Sequence, residues 1–191
     1  MIDYLIKYAI HIFFTIWFII IISAVSTFQV PQQFEFDPEH QLENAALDPT
    51  FSQQFTATVQ RYTTNMIAAD SQLNNTIVHF TREHCNCQMI AQPHIDSVIA
   101  LGVKHNFKSV TLDLSTPAPH VLQQWIPSTP AVAVFNQQGQ LIYLGPYASG
   151  YFCSEGNGLV EPFIHTAQNH TRSIAAVITQ SSGCYSQSLQ Y

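Results

Sequence analysis

The chain has 191 residues, enough for one domain of ordinary size with something left over. Charged residues are only 9% of it, and Lys+Arg 6 against Asp+Glu 12 leaves a net charge of −6, which argues against a nucleic-acid partner because phosphates need cations to neutralise them. A hydrophobic fraction of 47% excludes a disordered chain, and 4 cysteines are too few for a disulfide scaffold of this length.

Residues 8–25, YAIHIFFTIWFIIIISAV, carry no formal charge. At about 1.5 Å per residue, this run nearly crosses a hydrocarbon core of about 30 Å. Lys7 precedes it, while Glu35, Asp37, Glu39 and Glu43 follow it with no Lys or Arg before Arg61. By the positive-inside rule the N-terminus is cytoplasmic and the bulk of the chain lies outside. The reading is one uncleaved transmembrane helix, residues 1–26. The small residues Ala24 and Ser26 give a cleaved signal peptide as the alternative.

Residues 27–47, with two prolines and a short candidate strand at 33–36, read as a linker. A domain is expected over 48–170. Asp48-Pro49 opens a helix, Asp as N-cap and Pro in the first turn, and Phe51, Phe55, Val59, Tyr62 and Met66 form its apolar stripe. Residues 76–80 (TIVHF) predict a strand. A helix follows over 87–101, with Gly102 just past its end. Residues 110–114 (VTLDL) predict another strand, and 117–126 a short helix. Residues 131–135 and 141–144, joined by a turn at 136–139, predict a hairpin, and 159–168 a last helix. Residues 171–191 read as a polar tail in which only 174–178 looks ordered. The order implies an α/β fold with a mixed central sheet, crossovers supplying parallel strands and the hairpin antiparallel ones.

Cys85-Asn86-Cys87 stands where the TIVHF strand gives way to a helix. A helix N-terminus favours an anion, so a thiolate there has a lowered pKa. Cys85 is expected just outside the first turn and exposed, Cys87 inside it and more shielded. Cα atoms two residues apart can fall in the disulfide window of about 4.4–6.8 Å, though the ring is tight and easily reduced. Four cysteines allow three pairings. A Cys153–Cys184 bond that pins the tail to the domain is one expectation, and a resolving role of either residue toward Cys85 is another. The cysteines with His79, His84 or His94 raise a Cu(I) or Zn(II) hypothesis, but the spacings match no standard zinc pattern, and His94 lies about two helical turns beyond Cys87. No metal or organic cofactor is expected.

The segment HFTREHCNCQMIA resembles the active-site segment of thioredoxin-like proteins, in which a strand leads to Cys-x-x-Cys and then to a helix beginning Lys-Met-Ile-Ala-Pro. Cys87-Gln88-Met89-Ile90-Ala91 matches that opening, and Pro93 follows one residue late. Ser128-Thr129-Pro130, followed by AVAVF, is similar to the second hallmark of that family. The resemblance spans roughly residues 51–170 and implies a thioredoxin-like fold with helices on both faces of the sheet. It also implies a cis Pro130 facing the cysteines and a groove for the partner chain at Thr129 and Pro130. The spacing here is Cys-x-Cys. His84 stands where a Trp usually precedes the first Cys, and His79 where a buried acid serves the second. A neutral His79 can move a proton, and a cationic His84 can stabilise a thiolate.

The resulting expectation is a membrane-anchored thiol–disulfide oxidoreductase in the bacterial inner membrane, its domain in the periplasm. It acts on protein thiols or disulfides, with Cys85 attacking and Cys87 resolving the mixed disulfide. A copper-handling protein and a non-catalytic adaptor on the same fold are the alternatives.

Overall fold

The computed structural model describes residues 2–27, 34–66, 72–82, 86–115, 120–150, 158–167 and 174–187. The chain divides into two units, Met1–Pro31 and Gln32–Tyr191. The first contains helix α1, Ile2–Thr27, within which Lys7–Ser26 is long and apolar enough to cross a membrane. Phe13, Phe14, Trp17 and Ile20 are all exposed on it. Apolar surface left in water is unfavourable by about 25 cal/mol per Å², and a lipid environment removes that penalty.

In the second unit, strand β1 (Phe34–Glu35) and helices α2 (Gln41–Ala46) and α3 (Phe51–Met66) precede strand β2 (Thr76–Thr81). Helix α4 (Asn86–Lys104) crosses to β3 (Lys108–Asp113), and α5 (His120–Trp125) leads to β4 (Ser128–Thr129). Strands β5 (Ala131–Phe135) and β6 (Leu141–Pro146) come next, then α6 (Glu161–Thr166). The chain continues with β7 (Ala176–Val177), β8 (Ser182–Gly183) and β9 (Ser186–Gln187). The main sheet has the order β3-β2-β5-β6-β7. Strands β2 and β3 are parallel, as an α-helical crossover requires, and β5 and β6 form the antiparallel hairpin. The fold is therefore mixed α/β, as the element order predicts.

Side chains alternate across the sheet with period two. Val78, Phe80, Ala131, Ala133 and Phe135 face a core that also holds Leu42, Phe51, Phe55, Val59 and Leu122. Ile77, Val132 and Val134 face the opposite core, with Ala91, Ile95 and Val98 of α4 and Ile164 of α6. The predicted stripe of α3 is buried at Phe51, Phe55, Val59 and Tyr62. Phe55 packs among the rings of Phe51, Phe80, Trp125 and Phe135. The hairpin turn is held by Asn136, whose Oδ1 accepts from the backbone N–H groups of Gln138 (3.0 Å) and Gln140 (2.9 Å).

Three boundaries differ from the sequence reading. Residues 34–47 are not a linker. Phe36 and Leu42 are fully buried in the first core, and Asp37 anchors α2 by accepting from the N–H groups of Gln41 and Glu43 at 2.9 and 2.8 Å. The order expected at 174–178 is present as β7, which extends the main sheet, but 182–187 is no loose tail either, since it carries β8 and β9 and Tyr185 is buried. Helix α4 runs through Gly102 to Lys104, and Asn106, with φ of 61°, takes the left-handed position beyond it. Gly102 serves close packing, because a Cβ there would lie 2.8 Å from Ile77 Cδ1.

Candidate functional site

Strand β2 aims its C-terminal end at the start of α4, which puts Cys87 in the first turn of that helix. His84 and Cys85 lie outside the described residues, as does Cys153. Cys87 is half-buried and forms a disulfide with Cys184, their Cα atoms 5.3 Å apart. This corrects both pairings considered from the sequence. Cys184 is bonded to Cys87 and not to Cys153, and the sulfur of Cys87 is not free to close a ring with Cys85. The reason is tertiary: the C-terminal segment returns across the domain and delivers Cys184, otherwise 97 residues away, to the first turn of α4.

That return is guided by the Thr129-Pro130 segment. The Thr129-Pro130 peptide bond is cis, as the resemblance implies. Strands β4 and β9 pair antiparallel, Ser128 opposite Gln187 and Thr129 opposite Ser186. The residue before Pro130 is therefore two positions in pairing register from Cys184, which is bonded to Cys87. Instead of an open groove, the edge at Thr129 carries the chain's own C-terminal strand. Ser128 Oγ and Thr129 Oγ1 are buried there with no hydrogen-bond partner among the described residues. A buried hydroxyl left unpaired is unfavourable by about 1–3 kcal/mol.

The segment is anchored immediately beside the disulfide. Tyr185 donates from its hydroxyl to the Ala148 carbonyl (2.7 Å), shares a hydrogen bond with Ser181 Oγ (2.8 Å), and sets its ring edge-on to Phe36. Upstream of it, β8 pairs with β1, and Gly150 N–H donates to Ser182 O at 2.7 Å.

His79 is buried on β2, on the face that carries α4. Its Nδ1 is hydrogen-bonded to the Tyr147 hydroxyl, and the two rings stack. Its Nε2 is buried without a partner among the described residues. Burial pushes the imidazole down to about 4, so His79 is neutral at pH 7. Burial also raises Tyr147 well above the ordinary phenol range, which keeps its proton in place. Tyr147 in turn meets the ring of His94 edge-on, and His94 Nε2 donates to Glu161 Oε1 at 2.7 Å. Burial raises the Glu161 pKa, but the His94 hydrogen bond, the charge interaction with His94 and local backbone donors together hold it below its ordinary value.

The sequence reading singled out His79 but not Tyr147, Glu161 or Ser186. The position of His94 two helical turns past Cys87 was the available signal for the α4 side of this cluster. Tyr147 and Glu161 reach it only through the packing of β6 and α6. Among the described residues no three His, Cys, Asp or Glu side chains converge to hold a metal ion. Cys87, as a disulfide sulfur, does not offer the thiolate that Cu(I) or Zn(II) takes.

A family model described as a domain of unknown function, DUF6436, matches residues 51–188. The chain belongs to the DUF6436 family. The DUF6436 match takes in β2, α4, the hairpin and the returning β9, so both cysteines of the disulfide lie inside it. No curated protein and no solved structure matches the chain.

Proposed function

We propose that this chain is a thioredoxin-like thiol–disulfide exchange domain, tethered by α1 to the bacterial inner membrane with the domain in the periplasm. The observation that carries the reading is that the Cys87–Cys184 bond joins the first turn of α4 to the residue two positions before Ser186 of β9, which pairs with Thr129. The disulfide thus links the cysteine of one hallmark to a segment that pairs beside the other, which supports the reading. An oxidising compartment outside the cytoplasm suits a persistent disulfide, and the helix N-terminus stabilises the Cys87 thiolate as a leaving group.

In the exchange, a protein thiolate attacks one sulfur of the bond. A mixed disulfide forms, and the other cysteine leaves as thiolate. A second thiol of the partner then resolves the mixed disulfide. The partner loses two electrons and two protons, and Cys87 and Cys184 gain them as thiols; the reverse sequence reduces a disulfide. Cys85 is the third thiol. Its attack on Cys87 moves the bond to Cys85–Cys87 and frees Cys184. His79, neutral on the α4 face, is the proton-moving group, and His84 the charge beside Cys85.

The test is equilibration of the full chain in redox buffers, with the Cys87–Cys184 linkage quantified by alkylation and mass mapping. A midpoint above about −270 mV, in the range of exchange-active disulfides, supports the reading, whereas one below about −300 mV marks a permanent structural bond. The burial of Cys184 and Tyr185 favours that one second reading, a non-catalytic domain stapled by the same disulfide.

A further inference from the structure

We propose that the C-terminal segment carrying Cys184 and β9 is a tethered stand-in for the partner polypeptide, with β9 displaced when a partner's extended cysteine-bearing segment pairs with Ser128–Thr129. The inference rests on the exchange reading above and adds the partner class and the regulation of that site.

The segment has the features such an occupant needs. Its strand β9 adds antiparallel to β4, next to Pro130, in a two-stranded pairing separate from the main sheet. A two-stranded pair this short is marginal in water by itself, so it can exchange with a competing strand. It presents a cysteine two residues from the paired Ser186, and that cysteine is already bonded to Cys87. The burial of Tyr185 and the β1–β8 pairing hold the segment upstream, so lifting β9 and opening the bond leave it attached to the domain. The fit is incomplete, since Ser128 Oγ and Thr129 Oγ1 are buried with no hydrogen-bond partner among the described residues. A competing polypeptide that supplies polar groups there gains what the tail does not. Residues 179–191, TQSSGCYSQSLQY, carry no charged side chain, so the partner segment is an extended one with its cysteine among small, uncharged residues.

The exchange is balanced by sulfur alone. In the oxidised chain the partner's thiolate forms a disulfide with Cys87, and Cys184 departs as a thiolate; in the reduced chain the Cys87 thiolate attacks the sulfur of an activated partner disulfide, and that disulfide's other thiolate leaves.

The experiment uses the full chain in detergent with its cysteines reduced. The probes are an uncharged peptide, Ser-Gly-Cys-Tyr-Ser, activated as an aryl mixed disulfide, and glutathione disulfide as the small reference. Ser186→Pro and a chain lacking residues 186–191 both keep Cys184 and the Tyr185 anchor. Removing the one or two ladder hydrogen bonds of β9 is expected to raise peptide capture relative to glutathione capture by about tenfold. In the unaltered chain, peptide capture is expected to raise amide hydrogen exchange across β9, Ser186–Gln187. An unchanged capture ratio in a variant that keeps its thermal transition, or unchanged amide protection with peptide bound, overturns the proposal while leaving thiol exchange intact. If none of the three chains captures either probe, the exchange reading itself falls.

Discussion

Cys87 and Cys184, 97 residues apart in sequence, hold their Cα atoms 5.3 Å from each other. Closing a loop of that size removes about 4–5 kcal/mol of unfolded-state freedom in the chain-entropy account. Cys184→Ser is therefore expected to lower the unfolding free energy by about 2–4 kcal/mol, read from urea transitions. Non-reducing proteolysis and mass mapping of the unaltered chain should recover a Cys87–Cys184 peptide. Recovery of a Cys153–Cys184 peptide in its place would falsify the pairing.

His79 makes the domain sensitive to acid. Its imidazole titrates near 6.5 when unfolded and near 4 when folded, so between those values the unfolded chain binds more protons. Its contribution is complete above pH 6.5 and is lost as pH falls toward 4, by up to about 3 kcal/mol. Glu161, whose carboxyl is held below its ordinary value, acts in the same direction on acidification. His79→Gln should flatten the stability profile between pH 4.5 and 6.5. Equal slopes for the two proteins in that window would show that His79 is not the group responsible.

Gly183 ends β8 immediately before Cys184. A Cβ there would lie 2.9 Å from Tyr185 Cζ and 3.1 Å from the Gly150 carbonyl oxygen. The ring and the backbone both resist movement, so Gly183→Ala is expected to cost about 1–3 kcal/mol, as overpacking does. A thermal transition unchanged from the parent would mean that the Tyr185 anchor yields easily.

Helix α1 predicts how the chain partitions. The full chain should stay with membranes through alkaline carbonate washing, and a chain starting at residue 32 should be recovered in the soluble fraction, because the second unit buries its own core. A full chain released by the wash would contradict a membrane-spanning α1.

Local chemistry was legible where the local pattern is the cause. The α3 stripe of Phe51, Phe55, Val59 and Tyr62 follows from the 3.6-residue period. The β5–β6 hairpin follows from alternating apolar runs around Asn136 and Gly139, whose φ of 73° suits glycine. The ends of the domain were not legible. Phe36, Leu42 and Tyr185 stand in polar, proline- or serine-containing stretches with no period, and only the core they complete makes them structural.

By itself, then, the sequence determined the N-terminal helix with its uncharged run at 8–25, the mixed α/β order and the placement of Cys87 at a strand-to-helix junction, because each is set by neighbours within a few residues. Tertiary structure alone decided that Cys184 meets Cys87, that β9 covers Thr129, and that Tyr147 meets His79. A cysteine's partner is whichever sulfur the fold brings within reach, and that proximity comes from strand pairing and core packing across the whole domain, which no spacing along the chain encodes.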